Sequence, residues 1–343
     1  MTDTRFSDVW RELDRESCSR SGPSLVRKLV ETGSGAEMHL AVSVPDGRRH
    51  LMVRMPDEWD GDTSGLPKWR GAKIGPYHGS EKPSAHQFLV LEQGDESPRE
   101  VFEVLVADVV DSVLSRNAGE SIRDVIATRL DRWKTFFEER GLAGLGPEAQ
   151  QGLFGELWFL REHLIPRAGL SSSISSWDIT HRAVHDFQFP RHAFEVKTSA
   201  AKQHLRVHVA SERQLDNTGL ETLKLIVISL SIVQGGGETL PEVVASVRAA
   251  LAASPQTARL FEDKLLDEGY MDAHEELYRS GYAFRNIRAY RVVPGFPRIL
   301  EGDLKPGVGD VSYSVVLSAC EPFKIAIDEA LDTLGPHQSG VRR

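Results

Sequence analysis

Ala193-Phe194-Glu195-Val196-Lys197-Thr198-Ser199 is the stretch on which the fold turns. Read as a strand, its side chains alternate, so Glu195 and Lys197 share one face while Phe194 and Val196 share the other. The apolar face anchors the strand in a core. The other face carries a carboxylate and an ammonium side by side. Nine residues before Glu195 stands Asp186, inside a second strand-like run, His185-Asp186-Phe187-Gln188-Phe189. Two carboxylates and a lysine on adjacent strands make a small charged site on an apolar scaffold. Such a site suits a divalent metal and an activated water.

Working outward, Pro147 opens a helix expected to reach about His163, with Leu153, Leu157, Leu160 and Leu164 inward. Glu156 falls on that same face. A carboxylate on a buried stripe is costly unless it is paired or bound to a metal. Glu156 is therefore read in two ways, as a member of the charged site or as half of a buried ion pair at the edge of the stripe. A polar loop, Ser171 to Ser176, is expected next, followed by two strands separated by Pro190-Arg191. A third strand alternates through Leu205, Val207 and Val209. Ser211 then opens a short helix in which Gln214 is placed to return a capping bond. Leu223 to Ile232 is a continuous apolar run, the kind found in a buried central strand. Gly235-Gly236-Gly237 ends the region as a turn, because no phosphate-loop Lys-Ser/Thr follows it.

Asp186, then Glu195-Val196-Lys197, behind a helical Glu156, resembles the PD-(D/E)XK nuclease superfamily. The wider pattern is similar to a bacterial family of PD-(D/E)XK proteins found among restriction and phage-defence genes. The matching features are Gly155-Glu156-Leu157-Trp158, Trp177, His185-Asp186-Phe187, Phe194-Glu195-Val196-Lys197-Thr198, Gln214-Leu215, Phe296-Pro297-Arg298 and Val311-Ser312-Tyr313. They span nearly the whole chain, and the motif-bearing part is 150 to 232. One departure is that His185 stands where the superfamily places a proline.

The resemblance implies an α/β (α+β) restriction-endonuclease-like core, a mixed central sheet flanked by helices. It implies a DNA endonuclease using Mg2+, with Mn2+ able to substitute, inside a restriction or defence system. Asp186 and Glu195 would ligate the metal, with the Val196 carbonyl and Glu156 as further contacts. Lys197 would orient water or meet developing negative charge. Gln214 would hold substrate or Lys197, or simply cap its helix. The other reading is a catalytically silent nucleic-acid-binding or scaffold subunit of such a system. The acidic charge and the lack of a separate DNA-binding motif fit either that or dependence on an ATPase or methyltransferase partner, and two-strand cleavage by a one-site protein implies a homodimer.

The bulk numbers bound these readings. The chain has 343 residues, 40% of them apolar and 27% charged, with a formal net charge of -9. That acidity excludes a protein coated in DNA-binding charge, but not a local basic patch. Residues 181 to 213 are such a patch, and Lys202, Arg206 and Arg213 there are read as phosphate contacts or as solvated strand ends. The five histidines of this segment fit no zinc spacing, and Asp178 is a reserve carboxylate. Cys18 and Cys320 form no disulfide framework, which suits a reducing cytoplasm. No stretch approaches the length of a membrane helix.

Three segments are expected: an N-terminal α+β domain for recognition or docking over 1–143, the nuclease-like core over 144–235, and a C-terminal α+β extension over 236–343. In the first, a helix spans Phe6 to Leu13 and a hairpin turns at Asp46-Gly47. A strand spans Gln87 to Leu91, and Ser97-Pro98-Arg99-Glu100 starts a helix that Ser97 caps. A second helix covers Ser121 to Arg140. In the last, helices cover Pro241 to Ala252 and Gln256 to Leu266, strands cover Ala283 to Val293 and Val311 to Ser318, and a final helix runs from Pro322 to Leu334.

Overall fold

The computed structural model describes residues 6–31, 36–77, 88–117, 119–140, 144–177, 184–201 and 205–334. The chain divides into two compact units, Met1–Gly144 and Leu145–Arg343.

In the first unit, α1 (Ser7–Cys18) buries Trp10 and Leu13, the apolar pair on one side of the helix. The strands β1 (Ser24–Glu31), β2 (Met38–Val44), β3 (Arg49–Arg54), β4 (Ala72–Pro76) and β5 (Phe88–Gln93) form an antiparallel sheet in the order β1-β2-β3-β5-β4. The β2–β3 hairpin turns at Asp46-Gly47, where Gly47 has φ +67 and the Ser43 hydroxyl donates to Asp46 Oδ1 at 2.6 Å. Two helices follow, α2 (Arg99–Leu114) and α3 (Ile122–Arg140). The start of α2 differs from expectation. Pro98 occupies the cap position with extended ψ, and no side chain caps the helix. Ser97 is buried and its carbonyl accepts from Gln93 Nε2 at 2.8 Å, so it belongs to the end of β5 rather than to the helix. Arg49 is the buried polar centre of the unit. It donates to Asp14 Oδ2 at 2.8 Å and to Glu103 Oε1 at 2.9 Å, and lies 4.8 Å over the Trp10 ring.

The second unit begins with α4 (Pro147–Phe159), which widens through a π turn at Leu160–Leu164 into α5 (Ile165–Ala168). The expected serine loop is instead α6 (Leu170–Ser176). Gly169, at φ +80, reverses the chain, and the buried Ile174 gives the short helix an apolar anchor. Ser176 satisfies its hydroxyl locally by donating to the Ser173 carbonyl at 2.9 Å. Next come β6 (Phe187–Gln188), β7 (His192–Ser199), β8 (Arg206–Val209), a 3-10 turn at Glu212–Leu215, and β9 (Thr222–Val233). The elements β10 (Glu238–Thr239), α7 (Leu240–Leu251), α8 (Pro255–Asp267), β11 (Gly281–Arg291), β12 (Tyr313–Val316), β13 (Lys324–Ile325) and α9 (Ile327–Leu331) complete the unit.

Its mixed sheet runs β10-β11-β9-β7-β6, with β13 on β11. Among these pairs β7 and β9 are parallel, Glu195 lying opposite Leu225. Alternation sorts the two central strands. Phe194, Val196, Ile226 and Ile228 pack with α4, α7 and α8, while Ala193, Leu223, Leu225 and Val227 pack with β8 and β12 on the other face. Among the described residues β8 is not a strand of this sheet; it pairs with β12, Val209 opposite Tyr313. The final helix is shorter than expected. Pro322 sits inside a 3-10 segment, and Lys324 and Ile325 are drawn into ladder bonds with Tyr290 and Ala289, so helix resumes only at Ile327. The second unit is thus a mixed sheet flanked by helices, the α+β architecture expected of a restriction-endonuclease-like core.

Candidate active site

β7 places Glu195 and Lys197 on the sheet face away from the helices. Glu195 is fully buried, and the Lys197 ammonium lies 2.6 Å from its Oε1. That contact is a direct ion pair, and the ammonium and the Asp186 backbone both favour the charged form of Glu195 against its burial. Asp186 precedes β6, where its Oδ2 accepts the backbone amide of Val196 at 2.6 Å. One bond thus fixes Asp186 against the strand that carries Glu195.

Glu156 arrives from the helix layer. Its helix fits tightly because Gly155 has no side chain: a Cβ there would stand 2.0 Å from Thr198 Cγ2. Trp177, fully buried, donates from Nε1 to Glu156 Oε2 at 2.9 Å. Thr198 is on the face opposite Glu195, so Glu156 reaches toward Asp186 across the strand from the Glu195–Lys197 pair.

The electrostatics follow from three carboxylates around one ammonium. Burial, then Asp186, pushes the Glu195 carboxyl up to about 8. Burial, then Asp186 and Glu268, pushes Glu156 well above the ordinary range, although it keeps part of its surface open to solvent. Burial also raises Asp186, against the pull of Lys197 and the Val196 amide. Burial opposes the charge on Lys197, but Glu195, Asp186 and Glu156 together outweigh it and hold the amine protonated. A single ammonium cannot balance three carboxylates in a desolvated site. Without a further cation, the site favours proton uptake by its carboxyl groups over full ionisation.

Gln214 lies on the 3-10 turn. Its Oε1 accepts from the Ala210 amide at 2.8 Å and from Lys197 Nζ at 3.3 Å. Its bond goes to Ala210 rather than back to the start of the turn, where Ser211 Oγ accepts from the Arg213 amide at 3.3 Å. His185 is buried, and its Nε2 is 3.1 Å from the Asp216 carbonyl oxygen. Arg206 is exposed on β8, and Arg213 is exposed with its guanidinium 3.8 Å from Glu212 Oε1. Lys202 and Asp178 lie outside the described residues.

Three contributors carried no role in the sequence reading. Trp177 orients Glu156, Arg298 donates to the Leu215 carbonyl beside Gln214, and Tyr313 lies within the electrostatic reach of Glu195. Each was visible only as a matched motif residue. No local periodicity marks a tryptophan as the partner of a glutamate 21 positions earlier.

Among the described residues, no group of three or more His, Cys, Asp or Glu side chains converges as metal ligands. The donor set is Asp186 and Glu195. Both are hard oxygen donors, and Asp186 raises the pKa of Glu195. Two neighbouring desolvated carboxylates fit a hard divalent cation that keeps several of its waters. No helix of the described residues is long and apolar enough to cross a membrane.

No curated protein and no solved structure matches the chain. A family model described as "Putative PD-(D/E)XK family member, (DUF4420)" matches residues 6–318, and the chain belongs to that family.

Proposed function

We propose that this protein is a metal-dependent nuclease that hydrolyses DNA phosphodiester bonds within a bacterial restriction or phage-defence system. The observation that carries the reading is Glu195: a fully buried carboxylate that shares the Lys197 ammonium with Asp186. Two desolvated carboxylates on one ammonium are expensive to keep unless something binds them. Asp186 and Glu195 would hold Mg2+ or Mn2+, with the Val196 carbonyl as a third oxygen. The bound cation supplies Lewis acidity and an activated water. Lys197, kept protonated by its surroundings, meets the negative charge that develops on the phosphate. Gln214 orients that ammonium. Glu156, across the strand, acts from the second rank by sharing protons with Asp186. Arg206 and Arg213, with Lys202, would contact the DNA backbone.

A second reading, a silent scaffold subunit, draws on one feature. Lys197 leans on Glu195 itself, which compensates part of the charge a metal would neutralise. Incubation of supercoiled plasmid, modified and unmodified, with Mg2+ or Mn2+ and then with a chelator separates the two. Nicking or linearisation that stops on chelation supports the nuclease. Absence of cutting under every metal, with DNA binding retained, supports the scaffold.

A further inference from the structure

The late segment Phe296-Pro297-Arg298 and Val311-Ser312-Tyr313 lies about a hundred residues after the acidic strands, yet it converges on the turn that carries Gln214. Arg298 Nη1 donates to the Leu215 carbonyl. The Val311 amide donates to Glu212 Oε2 at 2.8 Å, and Glu212 is itself buried. Phe296 and Leu215 are buried in one apolar cluster with Val209 and Val315. From the other side, His185, adjacent to Asp186, meets the Asp216 carbonyl at 3.1 Å. The turn Glu212–Leu215 is thus tied at its first residue, its last residue and the residue after it.

Gln214 sits between these ties. Because the Ala210 amide is a donor, the atom facing it must be the Gln214 oxygen, and the same oxygen faces Lys197. The turn therefore determines where a second acceptor meets the Lys197 ammonium. Lys197 is already in a direct ion pair with Glu195 at 2.6 Å, so Gln214 Oε1 is the further acceptor that shares the ammonium and fixes its direction.

From this we infer that Arg298 is a positioning residue. Through the Leu215 carbonyl it holds the Gln214 turn in register with Lys197, and so keeps a second acceptor on the ammonium that pairs with Glu195. A charge-assisted bond to a carbonyl suits this task, because it is stronger and more directional than a neutral one. For its effect on rate the inference rests on the nuclease reading; for its geometry it does not.

The test uses the full chain labelled with 15N-lysine, with the Lys197 Nζ signal identified by its loss in Lys197→Gln. In Gln214→Ala the signal marks an ammonium deprived of its second acceptor. Arg298→Ala is expected to move the Lys197 signal toward that position, and Arg298→Lys to return it toward wild type. In parallel, the single-turnover cleavage rate with Mg2+ should fall about 10-fold in Arg298→Ala, as for other outer-shell partners of a site. KM should be unchanged, with partial recovery in Arg298→Lys. Where Arg298→Ala does not fold, Arg298→Gln, which keeps a donor, is measured in its place and should give an intermediate shift. A Lys197 signal that stays at its wild-type position in Arg298→Ala, while Gln214→Ala moves it, overturns the inference. Wild-type protein that cuts nothing while the signals move as expected overturns the nuclease reading and leaves the positioning role standing.

Discussion

Glu195 and Lys197, two positions apart on one strand, point the same way, and the ammonium stands 2.6 Å from a carboxylate oxygen of Glu195. Gln214 draws on the same ammonium at 3.3 Å. Asp186 adds a second negative charge, pinned through the Val196 amide. The site is built to be short of positive charge, and that shortage has measurable consequences.

The first consequence is a dependence of stability on pH. Burial and then Asp186 raise the Glu195 pKa from 4.5 to about 8. An acid raised in the folded state binds its proton more tightly there than in the unfolded chain. Its contribution is full below the unfolded value and is lost as pH rises through the folded one. Metal-free protein is expected to lose thermal stability as pH climbs from about 5 to about 8. Mg2+ should restore stability most at the alkaline end, since it binds the deprotonated form. Glu195→Gln should flatten the dependence. Melting curves across pH, with and without Mg2+, read this directly, and a slope that Glu195→Gln leaves unchanged would place the titrating group elsewhere.

Gly155 sets the approach of α4 to β7. A Cβ at that position would lie 2.0 Å from Thr198 Cγ2, in a layer where Leu153, Leu157 and Phe194 are already buried. Gly155→Ala should cost about 1–3 kcal/mol through overpacking, despite the better helix propensity of alanine. Thr198→Ser removes the offending methyl and keeps the hydroxyl that accepts from Gln151 Nε2 at 3.0 Å. The double variant should recover most of the loss in urea unfolding. Additive losses would show that the clash is not the cause.

The sequence made the acidic centre legible because strand alternation is a short-range rule. From Phe194-Glu195-Val196-Lys197 alone, one face is apolar and the other charged, and the buried run Leu223 to Ile232 identifies its neighbour. The helical period, equally short-range, put Leu153 and Leu157 on the inward face of α4. What failed was decided by distant partners. Ser171 to Ser176 carries the composition of a loop, yet the buried Ile174 and the reversal at Gly169 make it helical. Pro322 suggests a helix start, yet Lys324 and Ile325 find ladder partners in β11. Ser97 has the right residue type for a cap, but it is fixed to Gln93 instead. Arg298 acts on a carbonyl 83 positions earlier, a pairing that no local pattern encodes.

The basic residues of the proposed DNA path are separable by salt. Arg206 and Arg213 are exposed, as phosphate contacts must be. Arg206→Glu and Arg213→Glu should each weaken binding of any duplex sequence to a similar degree. Each should also reduce the slope of log affinity against log salt by about one. Fluorescence anisotropy with a labelled duplex over a salt series measures both. Binding indifferent to both reversals would remove these residues from the path.

In the first unit, stability centres on Arg49, which is 2% exposed and paired with Asp14 and Glu103. Burial raises the Glu103 carboxyl, against the pull of Arg49. Arg49→Ala leaves Glu103 without its cation and removes the group stacked on Trp10. The expected loss is about 3 kcal/mol, the lower end for a broken buried pair, because Asp14 is partly open to water. Arg49→Met, combined with Asp14→Leu and Glu103→Leu, should recover much of it. Denaturant unfolding of the full chain, followed by circular dichroism, reports the difference, and a loss under about 1 kcal/mol, as for exposed pairs, would mean the cluster is solvated.

The most direct measurement is the rate of plasmid cleavage in Mg2+ by wild-type protein beside Asp186→Ala and Lys197→Ala, each first shown to be folded. Metal-dependent cutting by wild type, reduced to background in both variants, is the expected result. It would join the acidic pair and the lysine in one reaction. Cutting that survives in both variants would contradict the assignment of chemistry to the Asp186, Glu195 and Lys197 site.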